Sequence, residues 1–449
     1  MSRLFAFVAA AALATPCFAG PLETAATLRD KALTDTTAWN TLESLTTEIG
    51  PRPIGSPAYE RSRDWAVAKL KALGFTNIKV ETFAKPSWQR GAESAEVTLP
   101  FPHKLAIIGL GNSLPTPKGG IEAPIVVFKS YTELLEQPPG SLQGKIAVVN
   151  QPMTRTQDGS GYGAAVEARN GDSEAAKRGA VAYLVRSIST STNRSPHTGA
   201  TWGPGPHIPV AALGVPDADL LDAMAARGPV RVRLNLASSV NPKSVSFNIS
   251  GELVGRDKPD DVIVIGGHLD SWDPGTGAID DGAGVAITTA AAHLIDQLPQ
   301  HPRRTIRVVL WGSEENGGSS EAYATAHHTE EPKLVIAGES DLGADRVYKV
   351  ALPQGLPGLD EVLAPLKVIV ASEPPRHGGS DIGGLQHAGV PIIGVSNDAT
   401  RYFDYHHSAD DTLAIVDRDQ LNQNVAVWAS LVYLIAETDI DFHTKAEAK

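Results

Sequence analysis

Cysteine is almost missing from this chain, which has a single one, Cys17, in 449 residues. Cys17 lies inside an N-terminal stretch that reads as a secretory signal: Arg3, an apolar run from Leu4 to Ala14, and the small-residue exit Cys17-Phe18-Ala19 before Gly20. The run is too short to span a bilayer, and Pro16 stands where a lipoprotein cleavage site wants a small residue. Cleavage after Ala19 would leave a chain with no thiol and no disulfide, so its stability must come from a core or from metal. Blocks of basic residues are also missing, and the formal net charge is −12. That excludes nucleic acid and anionic membrane as expected partners. No other apolar stretch is long and uncharged enough to cross a membrane, which points to a secreted or periplasmic protein.

What remains is long enough for more than one core. No internal repeat or low-complexity tract interrupts it. Residues 20–118 open with a helical pattern broken by the turn-rich Gly50-Pro51-Arg52-Pro53-Ile54-Gly55-Ser56-Pro57, followed by the strand candidate NIKVETF. Residues 119–240 hold short apolar runs among many Gly and Pro, with a helix expected at 172–178. The succession GKIAVVN, EAAKRGAVAYLV, IPVAAL resembles the protease-associated domain, a small β-rich insert. From 241 to 449 the alternation is regular. Strand candidates VIVIG (262–266), TIRVVLW (305–311), KLVIAG (333–338) and PIIGV (391–395) are separated by helix candidates near 284–298, 318–328, 357–366 and 381–388. A last amphipathic helix is expected at 417–436. Strands apolar throughout predict an α/β fold, a mostly parallel sheet with helices on both faces.

In open α/β sheets ligands bind beyond the carboxyl ends of the strands, and the ends here are crowded with acids and imidazoles. After VIVIG, one His and four Asp fall between His268 and Asp281. TIRVVLW is followed by Glu314 and Glu315, KLVIAG by Glu339 and Asp341, and PIIGV by YFDYHHSADDT with His406 and His407. Each piece alone has a plain structural reading. H-x-D can be a hydrogen-bonded pair, Glu-Glu a solvated turn and Asp280-Asp281-Gly282 a helix cap, while His406 and His407 can pack against Tyr402 and Tyr405. Their common placement is what those readings leave unexplained. Carboxylates so concentrated repel one another unless cations sit among them, and a mixed His and carboxylate set favours zinc over magnesium or calcium.

The segments HLDSWDPGTGAIDDGAG, VVLWGSEENGG, GESDLG and YHHSADDT closely resemble the carboxypeptidase Q branch of the co-catalytic di-zinc exopeptidases. The resemblance implies a zinc aminopeptidase-like fold and two Zn2+ per chain. Asp280 would bridge the two ions, His268 and Asp341 would complete one, and Glu315 and His407 the other. It also implies Glu314 as general base, Asp270 accepting the second ring N–H of His268, and a cis peptide before Asp281. The implied substrates are short peptides or dipeptides, cleaved in carboxypeptidase or dipeptidase fashion, with an aminopeptidase as the alternative. A glutaminyl-cyclase-like enzyme and a non-catalytic transferrin-receptor-like protein are weaker alternatives, because all five ligand positions are filled. A substrate carboxylate needs a donor-rich pocket, for which Arg376 and His377 of PPRHGGSD are candidates. Tyr405, Tyr402 or His406 could stabilise an oxyanion. Relatives often form dimers, so a homodimer is the expected assembly.

Overall fold

A computed structural model describes residues 20–443; the signal-like segment 1–19 with Cys17 lies outside the described residues. Five strands make the sheet that positions the site: β1 (Thr76–Ala84), β2 (Val245–Leu253), β3 (Lys258–His268), β4 (Arg304–Trp311) and β5 (Leu334–Glu339). They lie in the order β1-β2-β4-β3-β5. β3 pairs in parallel with β4 and β5, but β1 with β2 and β2 with β4 are antiparallel. The sheet is therefore mixed rather than mostly parallel. The apolar pattern of β3 and β4 reports burial on both faces, and burial does not distinguish strand direction.

Alternation along β3 divides the core. Ile263 and Ile265 face the larger cluster, with α1 (Pro21–Ala32), α2 (Thr37–Ser44), α3 (Pro57–Ala72), α4 (Ala283–Asp296) and α7 (Arg418–Glu437). Val262 and Val264 face the smaller one, with Trp311, Tyr323 of α5 (Ser319–Ala326) and Leu385 of α6 (Gly383–His387). Helices thus cover both faces, as expected. The closing helix α7 is capped by Asp417, whose side chain accepts from Asp419 N and Gln420 N. It is not amphipathic in its setting: residues 423–436 are buried throughout, since α1 and α4 both pack against it.

PIIGV does not become a full strand of this sheet. It touches β5 through one bridge, Ala337 with Ile392, and the chain then turns so that Gly394–Asn397 pairs antiparallel with Val347–Ala351.

The other large sheet has eight strands and its own two apolar clusters. It already includes Glu93–Leu99, His103–Leu105 and Ile107–Gly109, so it starts before the expected boundary at residue 119. Ile121–Phe128, Ile146–Val149, Ala182–Arg186 and Val210–Leu213 run parallel within it, with helix Gly171–Lys177 between the second and third and helix Val215–Ala225 after the fourth. This region is therefore α/β, where its many short runs had suggested a β-rich insert. Among the described residues no helix is long and apolar enough to cross a membrane.

Candidate metal and catalytic site

β3 ends at His268, and the segment from there to α4 is held by hydrogen bonds to its own backbone. Asp281 accepts from His268 N and Gly284 N, both at 2.9 Å. Asp411 accepts from Ala278 N and Ile279 N at 2.9 and 2.8 Å. Buried Arg52, from the turn-rich segment, donates to the carbonyls of Leu269, Thr276 and Gly277. Gly284 is required by close approach, because a Cβ there would fall 1.7 Å from Ser340 O. The peptide bond between Asp280 and Asp281 is cis.

This frame presents Asp280 to two imidazoles. Its Oδ1 lies 3.1 Å from His268 Nε2 and its Oδ2 lies 3.1 Å from His407 Nε2. Asp341, beyond β5, comes within 3.5 Å of His268 Nε2, and Glu315, beyond β4, within 3.1 Å of His407 Nε2. The five residues expected to bind metal therefore meet. His406 stacks on His407 with ring centroids 3.5 Å apart, and its Nε2 is 3.5 Å from Asp280 Oδ2. His407 has a left-handed backbone, φ 61°, which is uncommon for a residue with a side chain. Thr198 of the second sheet region holds it by donating its N–H to the His407 carbonyl at 2.9 Å.

The electrostatics call for positive charge. Burial pulls the His268 and His407 imidazoles down, yet Asp341, Asp270 and Asp280 around the first, and Glu315 and Asp280 around the second, hold both well above their ordinary range. Burial pushes the carboxyls of Glu314, Asp341 and Glu315 up, that of Glu315 to about 7. Asp280 Oδ2, Glu315 Oε1 and Asp341 Oδ1 are buried with no hydrogen-bond partner. Oxygens left this way are costly unless a cation takes them, and with two imidazoles beside them the donor set fits zinc.

Asp270 is placed as expected but acts differently. His268 Nδ1 is 3.0 Å from the Asp270 backbone carbonyl and 3.5 Å from its carboxylate. The carboxylate instead accepts the Glu314 N–H at 3.0 Å, so the ring tautomer is set by backbone and the carboxylate steadies the Glu314 segment. Glu314 lines a cleft of about 480 Å³ together with Asp280, Glu315, Asp341 and His407. Arg376, His377 and Tyr405 do not line it. Arg376 and His377 are exposed, with His377 Nδ1 accepting from Gly379 N, and Tyr405 borders a smaller pocket behind Tyr402. Sequence reasoning missed the cleft residues Tyr162, Arg169, Asn170 and Trp202, which come from the second sheet region. It also missed Arg52, read only as part of a turn.

Residues 248–432 match the model of peptidase family M28. Bovine (Bos taurus) carboxypeptidase Q is 39% identical over 417 residues, 90% of this chain and 86% of that protein. The chain belongs to peptidase family M28. The human (Homo sapiens) carboxypeptidase Q is 36% identical over the same shares of the two chains. A crystal structure of a peptidase M28 precursor from Shewanella amazonensis SB2B superposes with TM-score 0.92 at 40% identity, covering 95% of this chain and 99% of that one. An aminopeptidase from Aneurinibacillus sp. strain AM-1 shares the fold, with TM-score 0.65 at 19% identity over 94% of this chain and 98% of that one. This M28 chain is a hydrolase of the metallopeptidase class, homologous to carboxypeptidase Q, and its buried His and carboxylate cluster is suited to zinc.

Proposed function

We propose that the chain is an exopeptidase that removes residues from the carboxyl end of short peptides or splits dipeptides, with two zinc ions and Glu314 as general base. The observation that carries this reading is Asp280, whose two oxygens each face a different imidazole at 3.1 Å. His268 and Asp341 would complete one ion, Glu315 and His407 the other. Bound zinc supplies a water acidified towards neutral pH and a Lewis acid for the scissile carbonyl. Glu314 would accept a proton from the attacking water on its carboxylate and pass it to the leaving amine, a contribution of about 10² to 10⁴ in rate. Asp270 keeps Glu314 in register through the Glu314 N–H. The choice of the carboxyl end rests on the carboxypeptidase Q relatives. The reading includes export with cleavage near Ala19 and assembly as a homodimer.

Zinc analysis of the purified protein, together with assays on peptides blocked at one end or the other, tests it. Two zinc ions per chain are expected, with cleavage of amino-blocked peptides that keep a free carboxyl end. Cleavage confined to amino-acid amides would make the chain an aminopeptidase, the activity named for an Aspergillus fumigatus relative that is 25% identical over 313 residues.

A further inference from the structure

One wall of the cleft comes from the second sheet region, and its charged centre is Arg169. Arg169 sits in the short turn of helix Val166–Asn170 and is 5% exposed. Its Nη1 donates to Tyr162 Oη at 2.6 Å. Its Nη2 lies 3.4 Å from His407 Nδ1. Once His407 Nε2 faces a metal, Nδ1 carries the ring hydrogen, with the Thr198 carbonyl at 3.4 Å as its acceptor. Two donors then face each other, and Nη2 is left without an acceptor. Arg169 Nε is buried with no hydrogen-bond partner, and no carboxylate among the described residues pairs with the guanidinium. Nε and Nη2 form one edge of the guanidinium, the fork that matches a carboxylate with two parallel hydrogen bonds. The surroundings are shaped to keep it there: Gly199, φ +128°, lies against the plane, and a Cβ on it would fall 2.4 Å from Arg169 Cζ.

A buried guanidinium with no counter-charge is costly unless a ligand supplies the anion. We propose that Arg169 binds the free α-carboxylate of the substrate and so selects the carboxyl end of the peptide. Arg169 Nη2 is separated by a single imidazole ring from His407 Nε2, which faces Asp280, so a carboxylate bound at Arg169 would lie beside the candidate metal site. The carboxylate recognition expected of Arg376 and His377 passes to Arg169, which is inside the cleft where they are not. The inference rests on the carboxyl-end reading above.

Its test uses zinc-loaded protein carrying Glu314→Gln, which holds substrate without turning it over. Binding of alanyl-leucine and of alanyl-leucinamide is measured by calorimetry with and without Arg169→Gln. Loss of a hydrogen-bonded charge pair predicts that Arg169→Gln weakens alanyl-leucine by about tenfold to a hundredfold, and leaves the amide and the zinc content nearly unchanged. Arg169→Lys, which keeps the charge without the fork, is expected to fall between, and the same comparison in it decides the matter if Arg169→Gln does not fold. Equal weakening of acid and amide, or of neither, overturns the assignment, as does an Arg169 protein that binds the amide as well as the acid. If the Glu314 enzyme cleaves free-carboxylate peptides while Arg169→Gln leaves their KM unchanged, Arg169 alone is wrongly assigned. An enzyme that cleaves only amino-acid amides sinks both readings.

Discussion

Glu314 and Glu315 are neighbours in sequence with opposite surroundings. Glu315 turns to His407 at 3.1 Å, while Glu314, fixed by its N–H to Asp270, faces the cleft. Glu314→Gln keeps the shape and removes the proton acceptor. It should keep the zinc content of the wild type and lower kcat by about 10² to 10⁴; near-normal kcat with zinc in place would end the general-base assignment. His197 is a second residue with a measurable consequence. Its Nδ1 donates to the His406 carbonyl at 2.6 Å and its Nε2 is buried with no partner, so burial pushes the imidazole from 6.5 down to about 4. The folded state then resists a proton that the unfolded chain accepts. Stability from this group is full above pH 6.5 and is lost as pH falls from about 6.5 to about 4, by about 3 kcal/mol. Denaturant unfolding of zinc-free protein at pH 7 and pH 4.5 should show a smaller acid loss in His197→Asn than in wild type. The five residues that meet around Asp280 could be picked out together because each falls in a spaced motif after an apolar run. Arg169 and Arg52 could not, because an arginine within a glycine-rich or turn-rich stretch looks solvated until the fold buries it.

Among the elements, the segment from His268 to Asp281 depends on partners far away in the chain. Arg52 reaches it from before the first strand, and Asp411 from the loop before α7. Arg52→Met should remove several charge-assisted hydrogen bonds and leave carbonyls of the loop unsatisfied. A loss of about 3 kcal/mol or more in unfolding free energy is expected, together with weaker zinc retention on dialysis. An unchanged midpoint and zinc content would show that the loop holds its shape without Arg52. Strand and helix positions in the second half were readable from apolar periodicity, including α4, α5 and α7. PIIGV was read as a strand of the same sheet because a short apolar run reports burial and not its neighbour. Only Ile392 bridges to β5 before the chain leaves for another sheet.

On the scale of the whole molecule, the second sheet region lines one wall of the cleft that holds Glu314 and Asp280 and also grips the segment that carries His407. Arg155 forms a two-pronged pair with Asp404, Ser189 Oγ donates to the Phe403 carbonyl at 2.8 Å, and His197 and Thr198 hold His406 and His407. Ions bound where these parts meet should stabilise the folded molecule as a whole. Zinc at 100 times its dissociation constant would add about 2.7 kcal/mol per site. Chelation should therefore lower the thermal midpoint, and added zinc should restore it in wild type but not in Asp280→Ala. A midpoint indifferent to chelator in protein known to have lost its zinc would place the ions outside the folding equilibrium.

The sequence by itself determined the chemistry offered: a chain whose only thiol lies at Cys17, acids and imidazoles at strand ends, and a donor set that suits zinc. Those properties are local, set by residue type and by the position of each motif after an apolar run. Tertiary structure alone decided that Asp280 faces two imidazoles, that the Asp270 carboxylate serves Glu314 rather than His268, and that a guanidinium from the second sheet region stands beside His407. These depend on which distant segments pack together, and apolar patterning records that a residue is buried without recording against what.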